Sequence, residues 1–254
     1  MPLLPHPPKF YEQLQQTAHR QATGLYLAPG RKLLVEALRS LPHEAFHAIL
    51  VGTRSFLSEI PLDLRDKTFV VPDWQLSRIS GQESPDGVVV ILHQPPTLSV
   101  PSPPPAAVIA EGLQDPGNVG TLLRTMEWLG WKTLWLSKNG VDPFHPRVVR
   151  ASMGSIFRVQ VQRVDNWLQL LQAYEGRCVV ASVEGASPAD IDWSCYDSLY
   201  LGGEARGVLE APLHWPKVAI PASAVSRADS LNVTIAAGIL LFLQRELRAG
   251  RLRI

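Results

Sequence analysis

Three short clusters place glycines and polar side chains where a packed domain would otherwise put apolar ones. The first is Glu111-Gly112-Leu113-Gln114-Asp115-Pro116-Gly117-Asn118-Val119-Gly120, continuing to Arg124. Asp115-Pro116-Gly117 reads as a turn, and Asn118 is suited to cap the helix that follows. Alone, this is a capped helix carrying one surface arginine. The second cluster is Gly202-Gly203-Glu204-Ala205-Arg206-Gly207. Its glycines tolerate positive φ and let a ligand approach the backbone closely. Their spacing fits neither the dinucleotide fingerprint nor a phosphate loop. The third cluster joins Ile220-Pro221 to Asp229-Ser230-Leu231-Asn232-Val233. Asp229 or Ser230 can cap a last helix there, and Asn232, polar among apolar neighbours, needs a hydrogen-bond partner if it is buried.

The elements that must position these clusters follow from periodicity. Short apolar runs predict strands at 107–110, 133–136, 157–161, 178–182, 198–201 and 218–220, and helical spacing predicts helices at 119–129, 145–151, 165–174 and about 230–247. That alternation is α/β, a mostly parallel sheet covered by helices. Sites on such sheets lie beyond the carboxyl ends of the strands, where the first two clusters fall. Upstream, helices at 9–21 and 31–39 with strands at 24–27, 48–51, 68–71 and 88–92 predict a smaller α/β domain over residues 1–94. It shows no nucleophile–base or metal-ligand spacing, so binding is its expected task. Residues 95–105 hold six prolines, and their fixed φ and missing N–H groups predict an extended linker.

Composition bounds the partners. With 46% hydrophobic and 19% charged residues over 254 positions, the chain has ample material for packed cores. A net charge of +1 argues against a broad electrostatic grip on nucleic acid. Arg147, Arg150, Arg158 and Arg163, with few acidic neighbours, offer a local anion-binding patch instead. No apolar run approaches the roughly 20 residues of a membrane span. The N-terminus lacks a basic segment leading into an apolar one. Cys178 and Cys195 make neither metal nor redox spacing. The expectation is a cytoplasmic protein with no membrane and no metal.

Taken in order, the clusters resemble the signature motifs of the SpoU (TrmH-like) family of SPOUT RNA 2′-O-ribose methyltransferases. A fourth family-like segment is Asp142-Pro143-Phe144-His145-Pro146-Arg147-Val148-Val149-Arg150-Ala151-Ser152-Met153-Gly154-Ser155. Any one motif is weak; four in sequence over about residues 106–247 are specific. The resemblance implies that residues 106–254 form a SPOUT domain with a deep trefoil knot, working as a homodimer. It implies S-adenosylmethionine as cofactor and a ribose 2′-hydroxyl as acceptor. Ribosomal RNA is expected rather than transfer RNA, because the N-terminal domain resembles the ribosomal-protein-like RNA-binding domain of family members. Two departures bear on substrate: Pro29-Gly30 stands where the family often has Glu-Gly, and the stretch from Pro221 to Ser230 is slightly longer than usual.

By the same resemblance, Asn118, Arg124, Glu204, Ser230 and Asn232 would be catalytic. Gly202, Gly203, Ile220 and Leu231 would hold the cofactor, largely through backbone groups, while Arg147, Arg150, Ser152 and Ser155 would contact RNA. Arg124 is either a base or an electrostatic stabiliser, and a guanidinium pKa above about 12 favours the second. Glu204 either favours the cationic sulfonium or braces Arg124 or Asn118. The rival readings are a catalytically inactive ribosome-assembly factor of the same fold, a tRNA 2′-O-methyltransferase, and an unrelated nucleotide-binding enzyme. Asn118, Arg124, Glu204 and Asn232 argue against the inactive factor, and the missing phosphate-binding signatures argue against the unrelated enzyme.

Overall fold

The computed structural model describes residues 4–52, 54–83, 86–97, 104–203 and 207–252, with no side chains for 54–56. The middle of the expected proline linker, 98–103, lies outside them. In chain order the first elements are α1 (Pro8–Glu12), α2 (Thr17–Thr23), β1 (Leu25–Pro29), α3 (Arg31–Ser40), β2 (Phe46–Val51), β3 (Thr68–Val70), α4 (Asp73–Ser80) and β4 (Val88–His93). They are followed by β5 (Ala107–Ala110), α5 (Pro116–Leu129), β6 (Thr133–Ser137), α6 (Pro146–Ala151), β7 (Gln160–Val164) and α7 (Trp167–Ala173). The last are β8 (Cys178–Ala186), β9 (Ser198–Leu201), β10 (Lys217–Val218) and α8 (Val233–Arg248). The chain divides into two compact units, Met1–Pro96 with Phe144–Phe157, and Thr97–Pro143 with Arg158–Ile254.

The first unit is a four-stranded sheet in the order β1-β4-β2-β3, with β4 antiparallel to both neighbours and β3 parallel to β2. Leu27, Leu50, Val89 and Ile91 pack from the sheet against Tyr11, Leu14, Leu76 and Ile79. The helix expected over 9–21 is broken, because Gln16 is extended (ψ 131°). The buried Arg20 guanidinium compensates, donating to the Leu14 carbonyl (2.7 Å) and to Thr17 Oγ1 (2.9 Å). Phe144–Phe157 belongs to this unit although it lies between β6 and β7 in sequence. α6 packs on β1, and the Phe144 ring lies 4.7 Å from that of Tyr26. Gly154 follows with φ 97°, and a Cβ there would sit 2.7 Å from the Glu36 side chain of α3. Only glycine meets both demands.

Three imidazoles gather where β2 starts and β4 ends. His47 stacks on His6 at 5.7 Å and meets His93 edge-on at 5.4 Å. Burial first, then His93, His6 and Lys67, holds the His47 pKa below its usual 6.5. The unfolded chain therefore takes up a proton below about pH 6.5 that the folded unit resists, so stability is retained above that pH and lost as pH falls through the folded value. Thermal unfolding followed from about pH 7.5 to 5.5 should show the melting temperature falling, with a shallower slope in His47→Asn. An unchanged slope in that variant would contradict the assignment.

The second unit is a six-stranded sheet in the order β10-β8-β9-β5-β6-β7, parallel throughout. Ala107, Ile109, Trp135, Val180 and Tyr200 from the strands pack with Leu170, Leu171 and Tyr174 in one core. The Trp135 indole donates to the Tyr174 hydroxyl (2.9 Å), which donates to the Pro104 carbonyl (2.9 Å). α8 packs on α5, β8 and β9. Among the described residues no helix is long and apolar enough to cross a membrane, and no group of three or more His, Cys, Asp or Glu could hold a metal.

Candidate active site

The strand order places the site. From β5 the chain moves outward through β6 and β7, then returns to the other side through β8 and β9, so β5 and β9 flank the point where the order reverses. In open parallel sheets that crevice is where ligands bind. β5 and β9 are direct parallel neighbours, and the Glu111 N–H extends their ladder to the Leu201 carbonyl (2.9 Å). The first two motifs therefore leave the sheet side by side.

At the first motif, Asp115 rather than Asn118 caps α5. Its Oδ1 accepts from the Asn118 N–H (2.8 Å), with Pro116 opening the helix. Asn118 occupies the third helical position, and its side chain reaches the third motif: Asn232 Nδ2 donates to Asn118 Oδ1 at 3.2 Å, across 114 residues. Asn232 in turn caps α8, its Oδ1 accepting from the Thr234 N–H (2.9 Å) and hydroxyl (2.7 Å). The caps expected at Asp229 and Ser230 are thereby displaced to Asn232, which leaves both of them and Leu231 in an exposed loop. Asn232 is itself exposed, so its partners are not a response to burial. Helices α5 and α8 cross closely, since a Cβ on Gly238 would meet Thr125 Cγ2 at 3.5 Å. Arg124, on α5 beside Thr125, is exposed and makes no hydrogen bond or ion pair with another described residue.

The two ends of the second motif pair as a hairpin stem. Gly203 and Gly207 exchange backbone hydrogen bonds of 2.8 and 2.9 Å. A Cβ on Gly202 would lie 2.4 Å from the Gly207 carbonyl carbon and 2.5 Å from the Val208 nitrogen. No side chain fits there, and the backbone is brought to the crevice bare. Glu204, with Ala205 and Arg206, lies outside the described residues. Ile220 is half-buried just beyond β10. From the end of β6, Ser137 Oγ accepts from the Gly112 N–H (2.7 Å) and donates to Asn139, bracing the start of the first motif. The sequence pointed to no role for Ser137, Asn139 or the buried Glu111, and to a turn rather than a helix cap for Asp115. For Glu111 a signal existed: a carboxylate directly after a wholly apolar strand.

The residues expected at RNA sit in the first unit. Arg147 is exposed. Arg150 is half-buried, and with the Gln82 amide turned so that its oxygen faces the guanidinium, that oxygen accepts from Nη1 (3.0 Å) and Nε (3.2 Å). Burial, then the charge of Arg147, lowers the Arg150 pKa, although a guanidinium stays charged in neutral solution. Ser152 is buried and its hydroxyl donates to the Val149 carbonyl (2.7 Å); Ser155 is also buried. Both serines thus pack within the first unit, Ser152 bracing the end of α6. Arg158 is paired with Glu127, which reduces the arginine patch.

Residues 105–242 match the SpoU rRNA Methylase family. The chain belongs to that family. An uncharacterized tRNA/rRNA methyltransferase of Synechocystis is 33% identical over 92% of this chain and 88% of its own length. The 23S rRNA (guanosine(2553)-2′-O)-methyltransferase RlmP of Bacillus subtilis is 26% identical over 92% of this chain and 94% of its own. The crystal structure of an AdoMet-bound rRNA methyltransferase from Sinorhizobium meliloti superposes with a TM-score of 0.81 at 27% identity, covering 97% of both chains. The SpoU match ends within α8, so it includes all three motifs that meet at the crevice.

Proposed function

We propose that this protein transfers a methyl group from S-adenosylmethionine to a ribose 2′-hydroxyl of ribosomal RNA, in the cytoplasm. The observation that carries the reading is the Asn118–Asn232 hydrogen bond, which joins the first and third SpoU motifs at the switch point of the sheet. Family membership and the activities of the Bacillus and Sinorhizobium proteins support it.

The glycine hairpin suits the cofactor, because Gly202 and Gly203 present backbone with no side chain in the way. Ile220 and Leu231 supply further backbone contacts. When bound, S-adenosylmethionine supplies a methyl group activated on a sulfonium. The task left to the chain is to align a ribose hydroxyl and manage its proton. Arg124, permanently cationic, binds the neighbouring phosphate and stabilises negative charge growing at O2′, while the proton leaves to a phosphate oxygen or water. The Asn118–Asn232 bond fixes both amides at the foot of the helix bearing Arg124, with Ser230 and Glu204 completing the centre. The first unit grips RNA through Arg147 and Arg150. Ile235, Ile239 and Phe242 form an exposed apolar stripe at helical spacing on α8, with Trp128 86% exposed on α5; these support a homodimer through that face.

The hairpin gives a direct expectation. Forcing a methyl group into Gly202 costs about 1–3 kcal/mol of local distortion, so Gly202→Ala should raise the Kd for S-adenosylmethionine by about tenfold or more in calorimetry. Unchanged affinity would remove the hairpin from the cofactor site. The activity is tested by incubating the protein with S-adenosylmethionine labelled in its methyl group and, separately, ribosomal and transfer RNA from a strain lacking it. Label in ribosomal RNA is expected; label confined to transfer RNA moves the substrate assignment, and none in either defeats the reading.

A further inference from the structure

We infer that Glu111 is a positioning residue that clamps the hairpin holding the cofactor, an inference that rests on the reading of Gly202 and Gly203 just given. Glu111 is 2% exposed and stands where β5 ends. A buried carboxylate is strongly disfavoured unless its charge is met by donors. Here a single oxygen, Oε2, accepts three: the Tyr200 hydroxyl at 2.7 Å, the Leu209 N–H at 3.0 Å and the Glu210 N–H at 3.2 Å. Hydrogen bonds to an ionised acceptor are about twice as strong as neutral ones.

The positions of the donors turn a buried charge into a clamp. Tyr200 lies two residues before Gly202, on the strand entering the hairpin; Leu209 and Glu210 lie just past Gly207, on the chain leaving it. One carboxylate therefore ties the incoming and outgoing stems together. The main chain of Glu111 adds to this, since its N–H bonds Leu201 and a Cβ on Gly203 would lie 3.3 Å from its carbonyl oxygen. Burial first, and then Glu111 itself, raises the Tyr200 pKa far above neutrality, so the phenol remains a donor. Neither role asks Glu111 to touch substrate; it acts through the loop.

Glu111→Gln keeps the shape and removes the charge. The expected result is a Kd for S-adenosylmethionine raised about tenfold, with kcat at saturating cofactor within about twofold and RNA affinity unchanged. Tyr200→Phe, which removes one donor and leaves both backbone bonds, should raise the Kd about threefold with less effect on stability. Should Glu111→Gln fail to fold, Tyr200→Phe decides alone, and an unchanged Kd there overturns the clamp. A purely structural role would lower the melting temperature and the fraction of active protein while leaving the Kd of the folded fraction unchanged, and that result also overturns it. Wild-type protein that binds no S-adenosylmethionine overturns the cofactor-site reading beneath it; wild-type binding with equal binding by both variants overturns the clamp only.

Discussion

Arg124→Lys is expected to lose about a hundred- to a thousandfold in turnover, the usual effect of removing one electrostatic stabiliser of a developing oxyanion. Fold and cofactor affinity should stay near wild type. The side chain is exposed on α5 and bonds no other described residue, so the structure gives it no packing duty to lose. Lysine keeps the charge but not the planar fork that can hold a phosphate oxygen and O2′ together. Single-turnover rates at saturating cofactor, with circular dichroism and calorimetry as controls, make the measurement. Near-normal turnover would mean that charge alone suffices or that Arg124 stands away from the reacting oxygen.

A second large effect is expected at Asn232, where two variants separate capping from chemistry. Asn232→Ala removes the cap of α8, about 1 kcal/mol, and the bond to Asn118 together, so it should lower the melting temperature by a few degrees as well as turnover. Asn232→Asp keeps an oxygen to accept from Thr234 and favours the helix N-terminus. Its new carboxylate, however, can no longer donate to Asn118 Oδ1, and the Asn118 amide must turn over to meet it. The expected outcome is a melting temperature close to wild type with turnover reduced about tenfold or more. Activity that simply follows stability across both variants would assign Asn232 to capping alone.

Much of this site was legible because the second unit obeys local rules. Strands β5, β6 and β9 are largely apolar runs buried on both faces, and their expected spans agree with the structure within a residue. With the strands placed, the first two motifs had to lie at their carboxyl ends. What failed were features decided by distant partners. Asn118 looked like a cap, but Asp115 took that role and freed the amide to meet a residue far along the chain. Ser230 and Asp229 looked like caps equally well, and only the start of α8 at Val233 selects Asn232. Strand β7 begins at Gln160 rather than 157, because Phe157 closes a 3-10 turn in the segment that joins the first unit. That excursion of 144–157 rests on contacts with β1 and α3, which no local pattern reveals. Helix α4 was not foreseen, since eight residues with Leu76, Ile79 and Ser80 inward carry little periodic signal.

The central claim is methyl transfer to a ribose hydroxyl, and nucleoside mass spectrometry tests it most directly. Ribosomal RNA from a strain lacking this protein would be incubated with the protein and S-adenosylmethionine, then digested to nucleosides. One new 2′-O-methylated nucleoside is expected, formed far more slowly when Arg124→Lys replaces the wild type. A methyl group found on a base, or no methylated product at all, would contradict it.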